Sequence, residues 1–186
     1  MVVVSRSIHI DAPIERVFAL MADPAMRARL NPGETPLSVE IETGIPLRQG
    51  SICHYRLQHG DRILDYRMRV HEFVSNQRIR SVSDSAVPFE VRIETVPEAA
   101  GTRLTQTESF EPSDAMLREA LPDEVSSNTV RLAQRFFLWI DPEAALTLRR
   151  RQEEQLTKIL EPRMDQWLAA IKDYLEGATD RPVRSC

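Results

Sequence analysis

Six stretches with the alternation typical of β-strands follow one another in the middle of this chain of 186 residues. Residues that favour turns or loops, such as "HGD" and "PEAAG", separate each stretch from the next. Strands that are consecutive in sequence and joined by short turns pair in antiparallel fashion. We therefore predict an antiparallel meander of six strands, at about 37–43, 51–58, 62–74, 77–83, 88–96 and 101–112.

A further strand and two short helices precede this meander. The opening run "VVVSRSIHI" is rich in β-branched residues, which favour strands. The apolar residues then change to helical spacing at Ile14 and Val17, and Asp11 is the predicted N-cap of this helix. A second short helix is predicted to begin at Pro24, with Asp23 as its N-cap, and to end at "NPGETP".

The end of the chain has the pattern of a long helix. Because Pro162 lies off its apolar stripe, we predict one kinked helix, closed by Gly177, and not two separate helices. We interpret residues 1–177 as a single domain with a helical insert at about 112–145, and residues 178–186 as a flexible tail. The stripe consists of Leu156, Leu160, Met164, Trp167, Leu168, Ile171, Tyr174 and Leu175.

Charge and apolar content limit the classes of partner. The net charge of −4 argues against a nucleic-acid partner, because such proteins usually present a basic face. The basic run Arg149–Arg151 is followed by acidic residues at helical spacing, which indicates a solvated helix face. The longest strongly apolar run, "FFLWI", is far too short to span a membrane. With two cysteines and no signal-peptide pattern at "MVVVSRS", we expect a cytoplasmic protein without stable membrane insertion.

The last strand of the meander places polar residues on an apolar face. Alternation puts Gln106 and Glu108 on the same side as Leu104 and Phe110. This face either is not core or borders a cavity in which polar groups are useful. Each of the two residues has an alternative that stays open at this stage. Glu108 reaches solvent or pairs with an arginine, and Gln106 is a hydrogen-bonded structural amide. A single bulge would reverse the assignment of faces.

The same alternation on the other strands predicts a mostly apolar interior. A site of this composition suits a hydrophobic or aromatic small molecule that is oriented by a few polar contacts. The alternative is that these residues only fill the core, as buried tyrosines often do. The helix stripe adds Trp167 and Ile171 to the predicted ligand-binding set. The strand members of the set are Tyr55, Leu64, Tyr66, Met68, Phe89, Val91, Gln106 and Glu108.

Three segments resemble known sequences. "IHIDAPIERVFALMADPAMRARLNP" resembles the opening of the SRPBCC superfamily, which includes START domains, pollen-allergen-like carriers and polyketide cyclases. "GTRLTQTESFEP" is similar to its last strand and "MDQWLAAIKDYLEG" to its closing helix. The resemblance covers about residues 3–111 and 156–177. It implies the α+β helix-grip fold, in which a curved antiparallel sheet wraps a long C-terminal helix and leaves a cavity between them.

The resemblance also bears on catalysis. In the polyketide cyclases of this superfamily the long central strand contributes inward polar groups, including an arginine, whereas the matching positions here are Met68 and Val70. Glu108 is therefore the candidate general acid or base, with Tyr66 or Tyr55 as a companion. No metal site or cofactor is expected, since the four histidines show no ligand spacing, and Cys53 is expected to be buried and inert.

Three functions remain open from the sequence. The leading hypothesis is a non-catalytic binding protein for a hydrophobic small molecule such as a lipid, a polyketide or an aromatic metabolite. The second is a cyclase- or dehydratase-like enzyme that uses Glu108. The third is a dimerisation or docking module that uses the aromatic run Phe136–Ile140, which could also form a lid or part of the core.

Overall fold

The computed structural model describes residues 1–113 and 142–177, with side chains in the second range from residue 149 onward. Within these ranges the chain forms seven antiparallel strands and three helices. Their bounds are β1 Val2–Ile10, α1 Ile14–Met21, α2 Pro24–Arg29, β2 Thr35–Ile41, β3 Ile52–His59, β4 Arg62–Val74, β5 Arg78–Ser83, β6 Phe89–Glu98, β7 Gly101–Phe110 and α3 Pro142–Gly177.

The seven strands form one sheet in the order β1-β7-β6-β5-β4-β3-β2. Strands β2 to β7 are therefore neighbours in the order of the chain, which confirms the predicted meander. Strand β1 joins the sheet beside β7, so the first and last strands pair over their whole length from Val2–Phe110 to Ile10–Thr102. The long C-terminal helix α3 packs mainly against β1. This is the α+β helix-grip architecture that the sequence predicts.

The two short helices begin differently. Asp23 caps α2 as predicted, because its Oδ1 accepts hydrogen bonds from the backbone N–H groups of Ala25 and Met26, both at 3.0 Å. The prediction for Asp11 is wrong. The helix α1 begins at Ile14, with Pro13 at the N-cap position and no side-chain cap. The structure instead uses Asp11 through its backbone N–H, which donates to Glu176 on α3 at 2.8 Å.

Helix α3 runs without interruption through Pro162, as the apolar stripe predicts. Its buried residues include Met164, Leu168, Ile171 and Leu175, which follow the helical period along one face. Tyr174 was expected on this stripe, but it is 45% exposed. Leu175, the next predicted member of the stripe, is buried as expected. A tyrosine tolerates the boundary of the core because its hydroxyl can remain in water.

The alternation of faces holds on β7, where it matters most. The pairing of β7 with β6 is continuous from Phe89–Phe110 to Glu98–Gly101 and contains no bulge. Gln106 is therefore inward and fully buried, next to the buried Leu104. The polar residues Arg103 and Thr105 point to the opposite face.

Several predictions concern segments outside the described residues. Most of the predicted insert at 112–145, the aromatic run Phe136–Ile140 and the tail at 178–186 lie there. The basic run Arg149–Arg151 is described and exposed, and Arg149 lies 3.5 Å from Glu153 one helical turn on. None of the helices in the described ranges has the length and apolarity that a membrane crossing requires.

Candidate functional site

A cavity of about 410 Å³ lies between the sheet, helix α2 and helix α3. This volume is within the range of small-molecule sites, which is about 300–1,000 Å³. Inward residues of strands β3 to β7 form its wall, and α2 with the following loop 31–34 forms another side. Leu160, Met164 and Trp167 of α3 close it. Arg163 and Gln166, which are exposed, stand at its rim.

The cavity brings together eight of the ten residues that the sequence singled out: Tyr55, Tyr66, Met68, Phe89, Val91, Gln106, Glu108 and Trp167.

The other two predicted residues lie apart from the cavity lining. Leu64 is half-buried against the core close to the hairpin between β3 and β4, where its strand partner is Leu57. Ile171 is fully buried core, one helical turn beyond Trp167. Residues of this helix face belong to the core where the helix contacts the sheet. They line the cavity only where the sheet lies farther from the helix.

Gln106 and Glu108 form a hydrogen-bonded pair in the wall of the cavity. Gln106 donates from Nε2 to Oε1 of Glu108 at 2.8 Å. The other end of this amide, Oε1, is buried and has no hydrogen-bond partner among the residues that the structure describes. Burial raises the pKa of Glu108, and the hydrogen bond from Gln106 opposes this increase only in part. The polar residues on an apolar face are thus explained: that face borders a cavity.

Aromatic rings line the wall next to this pair. The rings of Tyr55 and Tyr66 stack with centroids 5.3 Å apart and an interplanar angle of 11°. Phe89 meets Tyr66 edge-on at 5.4 Å. Burial raises the pKa of the Tyr66 hydroxyl, and the nearby carboxylates of Glu34 and Glu108 raise it further, so this tyrosine stays neutral at physiological pH. These rings provide flat apolar surfaces against which another ring can pack.

Arg27 brings a positive charge into the cavity from α2. Its Nη2 donates to the hydroxyl of Tyr55 at 2.9 Å, and its backbone carbonyl accepts from the indole Nε1 of Trp167 at 3.2 Å. These two contacts connect α2 to the sheet and to α3. The Nε of Arg27 is buried and lacks a hydrogen-bond partner within residues 1–113 and 149–177.

The loop after α2 contributes a second carboxyl group. Glu34 is half-buried, and its Oε2 accepts a hydrogen bond from Nδ2 of Asn31 at 3.3 Å. Burial raises the pKa of Glu34, while the positive charges of His59 and Arg163 lower it. Nδ1 of His59 donates to the carbonyl of Gly33 at 3.0 Å, which ties the β3 hairpin to this loop.

Sequence reasoning missed the contributions of α2 and its loop. Arg27, Asn31 and Glu34 lie on a short helix and in a segment that reads only as a helix stop. A polar residue in a helix of six residues carries no periodic signal. The sequence indicates only that the long strand does not supply an arginine to the interior. In the structure the cavity obtains its arginine from α2 instead.

Metal and thiol chemistry find no support in the described ranges. No group of three or more His, Cys, Asp or Glu side chains there is placed to hold a metal ion. Cys53 is buried, and burial raises the pKa of its thiol, which disfavours the reactive thiolate.

The fold and this cavity agree with what comparison of the sequence finds. Residues 1–136 match the family model described as polyketide cyclase / dehydrase and lipid transport. The chain belongs to this family. Comparison with individual curated proteins gives no match.

Solved structures share the fold of this chain at low sequence identity. An aromatase/cyclase from Streptomyces sp. R1128 superposes with a TM-score of 0.61 at 15% identity, covering 99% of this chain and 98% of its own. An uncharacterised protein from Rhizobium leguminosarum gives 0.57 at 16% identity, covering 94% of both chains. A polyketide-cyclase-like protein from Corynebacterium glutamicum gives 0.53 at 19% identity, covering 99% and 97%. At these identities the likeness establishes the fold.

Proposed function

We propose that this protein binds a small, largely apolar molecule with an aromatic portion in the cavity between the sheet and α3. One observation carries the proposal: an apolar, aromatic wall surrounds two buried polar atoms, Oε1 of Gln106 and Nε of Arg27, that no described protein group satisfies. A buried polar atom without a partner costs about 1–3 kcal/mol. A ligand with its own polar group relieves that cost.

The aromatic wall supports an aromatic ligand over a flexible chain. The stacked pair of Tyr55 and Tyr66 on β3 and β4 and the edge-on ring of Phe89 on β6 present flat surfaces. Trp167 faces them from α3, held by its hydrogen bond to Arg27. A planar ligand keeps few internal rotations to lose on binding, whereas a long acyl chain loses many.

A fluorescent probe tests the proposal directly. N-phenyl-1-naphthylamine is neutral and aromatic, and its emission rises in apolar surroundings. We expect a saturable rise with one probe bound per chain. Ser81 is a small buried residue of the cavity lining, so Ser81→Phe places a ring in the space that the ligand would occupy. This variant should weaken probe binding at least tenfold.

The neighbouring position supplies the matched control. Val82 lies next to Ser81 on β5 and points to the opposite face of the sheet. Val82→Phe adds the same ring outside the cavity and should leave the affinity unchanged. Equal effects of the two variants, or no saturable binding by the parent protein, would remove the basis of the proposal.

A second candidate function, acid–base catalysis, is favoured by one observation. Glu108 combines a pKa that burial raises with a position in the cavity wall, and both features suit a carboxyl group that exchanges protons with a ligand. In a cyclase- or dehydratase-like reaction Glu108→Gln would abolish turnover and leave binding of the neutral probe largely intact. If the protein only binds its ligand, the same variant has no turnover to lose.

A further inference from the structure

Two buried polar atoms in the cavity lining lack a hydrogen-bond partner among the described residues, and they constrain the ligand. The acceptor is Oε1 of Gln106. The donor is Nε of Arg27, whose Nη2 donates to Tyr55. A ligand that satisfies both atoms needs a hydrogen-bond donor for Gln106 and an acceptor for Arg27.

The acceptor at Gln106 is fixed by its neighbour. Because Nε2 of the amide donates to Glu108, the amide oxygen is the atom left over, and Gln106 is completely buried. Its strand pairs without a bulge on both sides, with β1 and with β6, so the side chain cannot turn outward without breaking the register. Only a group that brings a hydrogen to this oxygen can satisfy it.

A carboxylate ligand would not satisfy this oxygen. It has no hydrogen to donate to Gln106, so the amide oxygen would stay buried without a partner. A neutral hydroxyl on an aromatic ring meets both needs, since it donates to the amide oxygen and can accept from Nε of Arg27. The stacked tyrosines provide the surface for the ring that carries it.

From this we infer that the cavity selects an aromatic ligand with a hydroxyl group, of the phenol class, in preference to an aromatic ether or carboxylate. The inference rests on the proposed function, because it specifies the ligand of the same cavity. Gln106 is the specificity-determining residue, and Glu108 acts on specificity by holding the amide in its orientation.

Three ligands with the same ring system test the inference. They are 2-naphthol, which donates and accepts, 2-methoxynaphthalene, which only accepts, and 2-naphthoate, which is an anion. At about pH 7.5 the naphthol is neutral and the naphthoate ionised. Calorimetric titration of the full chain should give 2-naphthol an affinity about tenfold above that of 2-methoxynaphthalene, with 2-naphthoate the weakest.

Two variants identify the residues responsible. Gln106→Leu should reduce the ratio between 2-naphthol and 2-methoxynaphthalene to about one, because the acceptor is gone. Glu108→Gln replaces an acceptor by an amide that can also donate, so it should improve binding of 2-naphthoate severalfold and lower the advantage of 2-naphthol. Thr107→Val, on the outward face of the same strand, is the control and should preserve the parent ratios.

The outcomes separate the inference from the proposed function. Equal binding of 2-naphthol and 2-methoxynaphthalene, or tightest binding of 2-naphthoate, would overturn the inference and leave the cavity as a binding site. Binding of the fluorescent probe without binding of any of the three ligands would also overturn it. Failure of the probe and of all three ligands would overturn the proposed function itself. If Gln106→Leu does not fold, Glu108→Gln still decides the matter, since an unchanged ratio between 2-naphthol and 2-naphthoate in that variant would overturn the inference.

Discussion

The hydrogen bond between Arg27 and Tyr55 connects α2 to the strands that form the cavity wall. Removal of this bond should lower the free energy of unfolding by a measurable amount. Tyr55→Phe keeps the ring and therefore the stack on Tyr66, and it removes only the hydroxyl that accepts from Nη2 of Arg27 at 2.9 Å. The guanidinium then loses a partner in addition to the one already missing at Nε.

The size of the effect follows from burial. Hydrogen bonds to charged groups contribute about 1.5–3 kcal/mol when both partners are buried. Tyr55 is buried, but Arg27 is only half-buried and can recover some hydration, so we expect the free energy of unfolding to fall by about 1–2 kcal/mol. For a chain of this length that corresponds to a decrease of about 3–6 °C in Tm.

Urea unfolding followed by circular dichroism measures this difference, and the chain supplies a matched control. Tyr66 belongs to the same stack, but its hydroxyl has no hydrogen-bond partner in the described part of the chain. Tyr66→Phe should therefore change the free energy of unfolding by less than about 0.5 kcal/mol.

A double-mutant cycle with Arg27→Met isolates the contact. We expect a coupling of about 1–2 kcal/mol, so that the double variant is less destabilised than the sum of the two single variants. Additive effects of the two changes, or equal costs for Tyr55→Phe and Tyr66→Phe, would refute the reasoning that this hydrogen bond connects α2 to the sheet.

Three further predictions concern β7. The stability of Glu108→Gln relative to the parent should increase as pH rises, and urea midpoints across pH measure this. The raised pKa of Glu108 means that the folded parent binds more protons than its unfolded chain, so the parent loses stability as pH rises through the folded pKa. Gly101→Ala should cost about 1–3 kcal/mol or more in urea unfolding, since a Cβ there would overlap the backbone carbonyl oxygen of Ile10. Thr102→Val should cost about 1–3 kcal/mol by the same measurement, because the buried Thr102 hydroxyl donates to the carbonyl of Ala12 at 2.8 Å.

Each of these has its own comparison. For the pH series, a stability difference between Glu108→Gln and the parent that does not vary with pH would contradict the raised pKa of Glu108. Gly177→Ala adds the same methyl group where no atom lies within 4 Å and should cost much less than Gly101→Ala. Thr102→Ser retains the hydroxyl, so a loss as large as that of Thr102→Val would mean that packing, not the hydrogen bond, holds this position.

The success of the sequence on β7 and its failure on α1 have the same physical origin. Alternation is a property of the extended backbone, so the inward position of Gln106 follows from its neighbours in sequence once no bulge intervenes. The N-cap of α1 depends on where the chain leaves β1 and on Glu176 of α3, which accepts from the Asp11 N–H. The local pattern alone predicts Asp11 as a cap, but a partner 165 residues away decides its contact.

The sequence by itself determined the strand order of the meander, the inward faces of its strands and the single helix through Pro162, because each of these depends on the spacing of residues that are close in the chain. Only the tertiary structure decided which side chains share the cavity. Arg27 meets Tyr55 across 28 residues and Trp167 across 140, and neither contact leaves a periodic trace in the sequence. The same packing assigns Trp167 to the cavity and Ile171 to the core, because helix α3 and the curved sheet separate at one point and touch at the next.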